Sequence, residues 1–301
     1  MQFGIAAIVN DRTLSILSVA PQADARGMDA LWVGEHTHMP VETRHRYARS
    51  PELPDIYKRF PDPWTTLAAA AACTRRIRLG TCICLVAEHP PLALAKTIAT
   101  VDGLSEGRVD VGMGYGWNAP EMRNNGVDPR RRREVFREHV QAMQRLWTKE
   151  TASFAGEFVR FGESWSWPKP VQRPHPPLLV GAAPLRHTFD DIAAIADGWI
   201  PDLGWAGDRL GEHVAALRAA MKAAGRDPAG MPIVLTNVNG FRRDTLDEFR
   251  ARLPAPRLIE GWAALGVTQI ILGVPVHAYD FLCECLDLLA GLKRTWAGAG
   301  K

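Results

Sequence analysis

The sequence predicts an α/β protein folded as a (β/α)8 TIM barrel, and three observations support that prediction. Eight short apolar runs have the length and composition of buried strands. Segments with helical spacing of apolar residues separate them, and this alternation is typical of parallel βα units. At 301 residues with 47% hydrophobic content, the chain is long enough for one barrel, so we expect a single domain over residues 1–301.

The predicted strands are distributed along the whole chain, at residues 3–9, 30–33, 77–85, 109–113, 178–180, 199–200, 233–238 and 269–272. Between them, apolar residues recur three or four positions apart, as on the buried face of a helix. Examples are Leu94/Ile98/Val101, Phe136/Val140/Met143/Trp147, Leu210/Val214/Leu217/Met221 and Phe281/Cys285/Leu288/Leu292. Eight βα units favour a closed barrel over an open sheet.

Two connections are longer than ordinary barrel loops. Residues 37–62 follow the second strand and carry His38 and the run Arg44-His45-Arg46-Tyr47. Because this insertion starts at a candidate site, it could form a wall of the substrate pocket. Residues 148–177 precede the fifth strand and contain five aromatic residues, which predict either packing over the barrel mouth or a plain surface hairpin.

The charge balance argues against nucleic acid as a partner. Lys and Arg total 36 against 33 Asp and Glu, and the resulting net charge of +3 is too small for general attraction to nucleic acid. The dense basic run from Arg130 to Arg133 is interpreted as a solvated helix face or an anion contact.

Cysteine usage and hydropathy predict a soluble cytoplasmic protein with no membrane partner. The five cysteines, an odd number in apolar surroundings, do not resemble a secreted disulfide framework. No window approaches the ~18 consecutive apolar residues of a membrane span, and no basic segment precedes the first apolar run.

The second predicted strand ends in the strongest candidate site, because the apolar run Leu31-Trp32-Val33 is followed by Gly34-Glu35-His36. Polar groups just beyond the C-terminal ends of barrel strands form active sites, so Glu35 and His36 are the catalytic candidates. The alternative for an isolated Glu-His pair is a solvated loop start. His36-Thr37-His38 also has spacing compatible with zinc, but the other strand ends offer no matching ligands, and we expect no metal.

Two further strand ends are typical of a site for a flat cofactor that bears a phosphate. The fourth strand ends in Gly114-Tyr115-Gly116-Trp117 and the fifth in Gly181-Ala182-Ala183. Glycines let the backbone approach a ring or a phosphate, and an aromatic side chain can cover a heterocycle. A helix that begins near Leu185 would present free N–H groups to an anion. Ordinary helix packing is the alternative explanation for both clusters.

In combination, these motifs resemble the bacterial luciferase-like family of flavin and deazaflavin oxidoreductases. The resemblance covers most of residues 1–202, through residues 31–36, 77–81, 107–109, 112–117, 145–147, 168–172, 176–181 and 196–199. It is greatest to the subgroup that uses the 8-hydroxy-5-deazaflavin coenzyme F420, with FMN-dependent monooxygenases as near relatives.

The resemblance implies a role for each matched residue. His36 would face the reactive ring carbon as proton donor or acceptor, and Glu35 would orient His36 or bind the cofactor. A non-proline cis peptide is expected between Cys82 and Ile83. The implied cofactor contacts are Thr81, Cys82 and Ile83 behind the ring, Tyr115, Gly116 and Trp117 around it, and Gly181, Ala182 and Ala183 at the phosphate.

Two positions depart from the family pattern. Alanines follow Gly181, where two adjacent glycines are common. Trp117 stands where the sugar-phosphate dehydrogenase branch has Glu, which argues against that substrate.

The resemblance therefore predicts a homodimeric oxidoreductase that transfers a hydride between C5 of coenzyme F420 and a small organic substrate. Imidazole suits the accompanying proton transfer because its ordinary pKa lies near neutrality. One alternative is an FMN-dependent monooxygenase that uses O2 and a separate flavin reductase. An alternative of another class is a non-catalytic flavin-binding barrel.

Overall fold

Strands and helices alternate as expected in a computed structural model of the chain, which describes residues 1–43, 53–237 and 245–299. The strands of these residues, in chain order, are β1 (Gln2–Ala6), β2 (Ala30–Val33), β3 (Arg78–Thr81), β4 (Val109–Met113), β5 (Thr151–Ala155), β6 (Arg160–Trp165), β7 (Leu178–Val180), β8 (Gly198–Trp199), β9 (Val234–Asn237) and β10 (Gln269–Gly273). All except β5 and β6 belong to one parallel sheet.

The helices of the described residues lie mostly between consecutive strands. They are α1 (Ile16–Ala25), α2 (Pro63–Cys73), α3 (Pro91–Leu104), α4 (Ala119–Asn124), α5 (Arg132–Thr148), α6 (Arg186–Ile195), α7 (Leu203–Ala206), α8 (Leu210–Ala223), α9 (Leu246–Ala251), α10 (Pro256–Ala264) and α11 (Tyr279–Ala299). Short 3₁₀ helices lie at Asp55–Lys58, Val86–Glu88 and Gly207–Arg209.

The parallel sheet is a nearly closed TIM barrel, as the sequence predicts. Its strand order is β8-β7-β4-β3-β2-β1-β10-β9, so strands adjacent in the barrel sequence are neighbours in space. Single bridges between Trp199 and Ile233 and between Asp202 and Thr236 join the two outermost strands. With the strands parallel, their C-terminal ends all lie at one mouth of the barrel.

Trp32 of β2 fills much of the barrel interior. It lies beside Gly80 of β3 in the parallel register, and its Nε1 donates a hydrogen bond of 3.0 Å to Oε1 of the buried Gln269. A Cβ at position 80 would come within 2.3 Å of the indole ring. The barrel therefore accommodates this large side chain because the neighbouring strand has glycine.

Most predicted strands agree with the structure, and the third shows the largest difference. It was expected over residues 77–85 but ends at Thr81, where the expected cis peptide between Cys82 and Ile83 turns the chain out of the regular ladder. Cys84 then rejoins the sheet by a single bridge to Met113. The predicted run 233–238 reaches Val238, which lies outside the described residues.

The insertion before the fifth barrel strand forms the antiparallel hairpin β5–β6. Phe154, Val159 and Phe161 pack with Ala142 of α5 rather than over the barrel mouth. Of the two interpretations of this segment, the surface hairpin is therefore the one found. The run Arg44-His45-Arg46-Tyr47 in the other insertion lies outside the described residues.

The five cysteines form no disulfide bond among the described residues. Among the described residues, no helix combines the length and apolar character needed to cross a membrane.

Candidate active site

One mouth of the barrel brings together the strand ends that the sequence singled out. His36 follows β2, Cys82 follows β3, Trp117 follows β4 and Gly181 follows β7. These strands are consecutive neighbours in the sheet, in the order β2, β3, β4, β7. Parallel pairing therefore places all four segments at the mouth where barrel enzymes have their active sites.

A buried hydrogen bond to a carboxylate fixes the imidazole of His36. Its Nδ1 lies 2.7 Å from Oε2 of Glu121, whose side chain is fully buried in α4. Because an ionised carboxylate only accepts hydrogen bonds, Nδ1 carries the proton in this contact. Nε2 of His36 has no hydrogen-bond partner among the described residues, so it is the nitrogen available to exchange a proton.

Glu121 is held in turn by several donors. Its Oε1 accepts from the backbone N–H of Thr37 at 2.8 Å, and its Oε2 lies 3.3 Å from Nδ2 of Asn118. Burial raises the pKa of Glu121, but its bonds to His36, Thr37 and Asn118 outweigh burial and lower that pKa below the usual range. The carboxylate therefore stays ionised beside the imidazole.

Sequence reasoning missed Glu121. The available signal was weak: an acidic residue in the first turn of the helix that follows the strand-four glycine turn, four positions after Trp117. Acidic residues are common in first helical turns for reasons of the helix dipole alone. The 85-residue separation between His36 and Glu121 is bridged only by the folded barrel.

Three aromatic rings surround His36. The ring centroids of Phe60, Trp117 and Tyr57 lie 5.3, 5.5 and 5.6 Å from that of the imidazole, with steep interplanar angles of 68°, 89° and 52°. The contacts of Phe60 and Trp117 are edge-to-face, which is a favourable arrangement, and the ring of Tyr57 is tilted. Two of the three rings come from the insertion after β2, so that insertion contacts the candidate catalytic residue directly.

The carboxylate of Glu35 contacts groups other than His36 among the described residues. Its Oε2 accepts from the backbone N–H of Leu85 at 2.6 Å, and its Oε1 lies 2.5 Å from Nε2 of His89. Burial lowers the pKa of His89, but its hydrogen bond and charge interaction with Glu35 raise it overall. Glu35 is 5% exposed, and its carboxylate braces the chain after β3. The orienting role belongs to Glu121.

The side chain of Ile83, which follows β3, explains the glycines that follow β4 and β7. A Cβ at Gly114 would lie 2.0 Å from Ile83 Cδ1, and one at Gly181 would lie 2.5 Å from Ile83 Cγ2. Both glycines therefore make room for the side chain of Ile83. Thr81 is buried and donates to the carbonyl of Gly112 at 2.7 Å, while burial and the charge of Asp202 raise the pKa of the Cys82 thiol to about 12.

Tyr115 ties the strand-four turn to the helices outside it. Its hydroxyl donates to Oδ2 of the buried Asp191 at 2.7 Å, and Arg133 binds both oxygens of the same carboxylate at 2.7 and 2.9 Å. Arg133 therefore uses its charge inside the protein. Arg130 and Arg131 pair at the surface with Asp128 and Glu157, which fits the interpretation of this basic run as a solvated face.

The turn after β7 leads into α6. The Gly181 N–H donates to Met113, and the Ala182 carbonyl accepts from Nε1 of Trp199 at 3.0 Å, so the turn is rigidly placed. No side chain caps α6 at Leu185. In the first turn of the helix, the buried Thr188 side chain lies beside the hydroxyl of Tyr115.

Two cavities lie between the loop after β1 and the insertion after β2. The larger, of about 470 Å³, is lined in part by Phe60, whose ring also contacts His36. The smaller, of about 250 Å³, extends toward the loop after β10 and includes His277. His36 itself lines neither of these two cavities.

A family sequence profile described as "Luciferase-like monooxygenase" matches residues 6–274. The chain belongs to the bacterial luciferase-like family. The resemblance noted in the sequence is thereby confirmed, and with it the assignment to oxidoreductase enzymes.

Similar proteins within the family have several activities. An uncharacterized protein of Mycobacterium tuberculosis is 43% identical over 96% of this chain and 98% of its own length. An F420-dependent hydroxymycolic acid dehydrogenase of M. tuberculosis is 28% identical over 72% of this chain and 56% of its own. An FMNH(2)-dependent dimethylsulfone monooxygenase of Pseudomonas putida is 33% identical over 62% of this chain and 50% of its own.

Solved structures agree on the fold. Monooxygenase RslO1 of Streptomyces bottropensis superposes with a TM-score of 0.80 at 26% identity, covering 98% of this chain and all of its own. An F420-dependent secondary alcohol dehydrogenase superposes with a TM-score of 0.76 at 20% identity, covering 98% of each chain.

Proposed function

We propose that this protein is a coenzyme F420-dependent oxidoreductase in which His36 gives or takes the proton that accompanies hydride transfer with a small organic substrate. The observation that carries the proposal is the His36–Glu121 pair at the barrel mouth. It fixes the tautomer of a buried imidazole and leaves Nε2 for proton exchange, which is what a general acid or base requires.

The residues around His36 fit a flat ring with a phosphate. Trp117 and the chain at Cys82 and Ile83 would flank the ring, together with Thr81, Tyr115 and Gly116. The residues Gly181, Ala182 and Ala183, with the uncapped first turn of α6, would take the phosphate. Bound F420 would supply a ring carbon that carries the hydride.

The protein's own contribution is control of the proton. Neutral His36 can accept a proton at Nε2 from a substrate hydroxyl, and the ionised Glu121 then stabilises the imidazolium through Nδ1. In the reverse direction the imidazolium donates the same proton. The rings of Phe60, Tyr57 and Trp117 limit the access of water, so the charge interaction acts in a low-dielectric setting.

An FMN-dependent monooxygenase that uses O2 and a separate reductase is the second candidate. It is favoured by the similarity to the P. putida monooxygenase and to RslO1. F420 is favoured by the similarity to the M. tuberculosis dehydrogenase and by the match of the segments at Glu35-His36 and Thr81-Cys82-Ile83 to deazaflavin members.

Titration of the apoprotein with each cofactor, followed by quenching of tryptophan fluorescence, separates the candidates. We expect tighter binding of F420 than of FMN. Micromolar binding of FMN with no response to F420 would favour the monooxygenase, which would then consume oxygen when given reduced FMN. Binding of either cofactor with no turnover of alcohols, aldehydes or ketones would favour a non-catalytic barrel.

A further inference from the structure

Glu88 is a buried carboxyl group behind the candidate active site. It ends the short 3₁₀ helix after β3 and is 6% exposed. Its Oε2 accepts a hydrogen bond of 2.9 Å from Nδ2 of Asn125, whereas its Oε1 is fully buried and has no partner within the described residues. A charged carboxylate with a bare oxygen in such a place is far costlier than a neutral acid.

The charges around Glu88 also disfavour its ionised form. Glu35 from the end of β2 and Glu121 from α4 are negative neighbours, and the adjacent His89 is engaged by Glu35. On α5, His139 binds the Val86 carbonyl, and burial lowers its pKa so that it stays neutral. Burial and the charge of Glu121 raise the pKa of Glu88 to about 8, with a further contribution from Glu35; Asn125 and His89 oppose them only in part.

Glu88 is connected to both sides of the His36 environment. Nδ2 of Asn125, its hydrogen-bond donor, also lies 3.0 Å from Thr37 Oγ1 and 3.2 Å from the Glu121 carbonyl. Gly116 has a φ of +80°, and a Cβ there would lie 2.9 Å from Glu88 Oε1. The carboxyl group therefore rests against the turn that carries Trp117 and, through Asn125, against the helix that carries Glu121.

We propose that Glu88 is a positioning residue for the proton chemistry of His36, held as a neutral carboxylic acid at neutral pH so that Glu121 is the carboxylate paired with the imidazole. This inference rests on the proposed function of His36. When Glu88 loses its proton, a second negative charge arises beside Glu121 and favours the imidazolium form of His36. Neutral His36 is then a stronger base, and oxidation of an alcohol speeds up by a limited factor.

Infrared spectroscopy tests the protonation state without any turnover. In the difference spectrum between wild type and Glu88→Gln at pH 6.5, we expect the carbonyl stretch of a neutral carboxylic acid, lost by pH 9.5. Glu163→Gln, a change at an exposed hairpin glutamate, should show no such band. A carbonyl band moved to lower frequency by the label is expected in the pH 6.5 minus pH 9.5 difference spectrum of wild-type protein labelled with [13C]glutamate, which needs no variant. Its absence at pH 6.5 would overturn the proposal.

The pH dependence of turnover tests the positioning role. For alcohol oxidation with F420, we expect wild-type kcat to rise from one plateau to another as Glu88 loses its proton near pH 8, and Glu88→Gln to lack this step while Glu163→Gln keeps it. A profile of Glu88→Gln with the same step as wild type would contradict the role. If F420 supports no turnover at all, the proposed function fails, and the infrared result still decides whether Glu88 is neutral.

Discussion

The chemistry of His36 depends on which of its two nitrogens is engaged. Glu121 binds Nδ1, so the proton on that nitrogen is retained and exchange is confined to Nε2. Because the carboxylate is fully buried, its attraction for an imidazolium is screened little by water. Glu121 thus determines which nitrogen of His36 keeps its proton, and it stabilises the imidazolium when His36 gains a second proton.

Replacement of His36 by alanine should abolish turnover and leave cofactor affinity within a few-fold of wild type. A general acid or base typically contributes roughly 10²–10⁴ in rate without holding the cofactor. The matched control is His38→Ala, which changes an exposed imidazole two residues away. Steady-state kinetics and cofactor titration on both variants measure the effect, and unchanged turnover in His36→Ala would refute the assignment.

Glu121→Gln should lower kcat by roughly 10–150-fold, because a hydrogen bond to a charged group contributes about 1.5–3 kcal/mol and 1.36 kcal/mol is a factor of ten in rate. The amide keeps the shape of the carboxylate and removes its charge. Asp128→Asn, which neutralises an exposed carboxylate, is the control. Equal kcat values for Glu121→Gln and wild type would show that the ion pair has no part in the chemistry.

The sequence identified His36 but not Glu121, and the reason is physical. His36 directly follows a buried strand, and the ends of parallel strands are recognisable from hydrophobic pattern alone. Glu121 lies on a helix of six residues, where an acidic side chain is ordinary. Its function comes from the approach of two segments 85 positions apart, which only the closed barrel determines. The contact of Glu35 with His89 was not predictable for the same reason, since His89 lies on another connection.

At the scale of single elements, the N-terminal end of α6 allows the binding of an anion to be tested separately from the stability of the helix. Leu185 has the extended backbone of an N-cap residue, with φ −106° and ψ 152°, but its side chain accepts no hydrogen bond. Its side chain is half-exposed, so a polar residue costs little burial. A residue that caps the helix would add stability whatever the ligand is.

We therefore expect Leu185→Asp and Leu185→Asn to stabilise the protein equally, by about 0.5–2 kcal/mol, and to differ in cofactor binding. The aspartate repels a phosphate at the helix end, whereas the asparagine adds a cap without charge. Thermal unfolding and cofactor titration measure the two effects. Equal affinity of both variants for the cofactor would place the phosphate away from α6.

Element boundaries were predictable where hydrophobic pattern alone decides them. β2, β4 and β7 occupy the predicted residues. The end of β3 was not predictable, because the local sequence stays apolar through Leu85 while the chain leaves the ladder after Thr81. Ile83 packs against Gly114 and Gly181, and these three residues follow three different strands. The local sequence at any one of these strands does not predict this contact.

At the scale of the whole molecule, the barrel interior is the part least tolerant of added volume. Gly80→Ala would place a methyl group 2.3 Å from the indole of Trp32, which is itself fixed by Gln269. We expect a loss of roughly 1–3 kcal/mol in the free energy of unfolding. Gly103→Ala, in α3 with open space around it, should be neutral or stabilise by about 0.5–1 kcal/mol. Chemical denaturation of both variants compares them directly, and equal stabilities would contradict the close packing of Trp32.

The dependence of stability on pH provides a second, independent measure of Glu88. Its pKa is about 8 in the folded protein, against an ordinary value of 4.5. Between these values the folded chain holds a proton that the unfolded chain has released, so the contribution of Glu88 to stability falls as pH rises from about 4.5 to about 8.

Glu88→Gln removes this titration while keeping the size and the neutral character of the protonated acid. The melting temperature of wild type should therefore fall more steeply than that of the variant between pH 5 and pH 8, and the gap between them should widen by on the order of 5 °C. Other groups titrate in both proteins, so their effects cancel in the comparison. Glu163→Gln, at an exposed position, should follow the wild-type curve. Parallel curves for wild type and Glu88→Gln would mean that Glu88 is already ionised at pH 5. Only a proton that is bound in the folded state and released on unfolding can make the melting temperature of one protein fall more steeply with pH than that of the other.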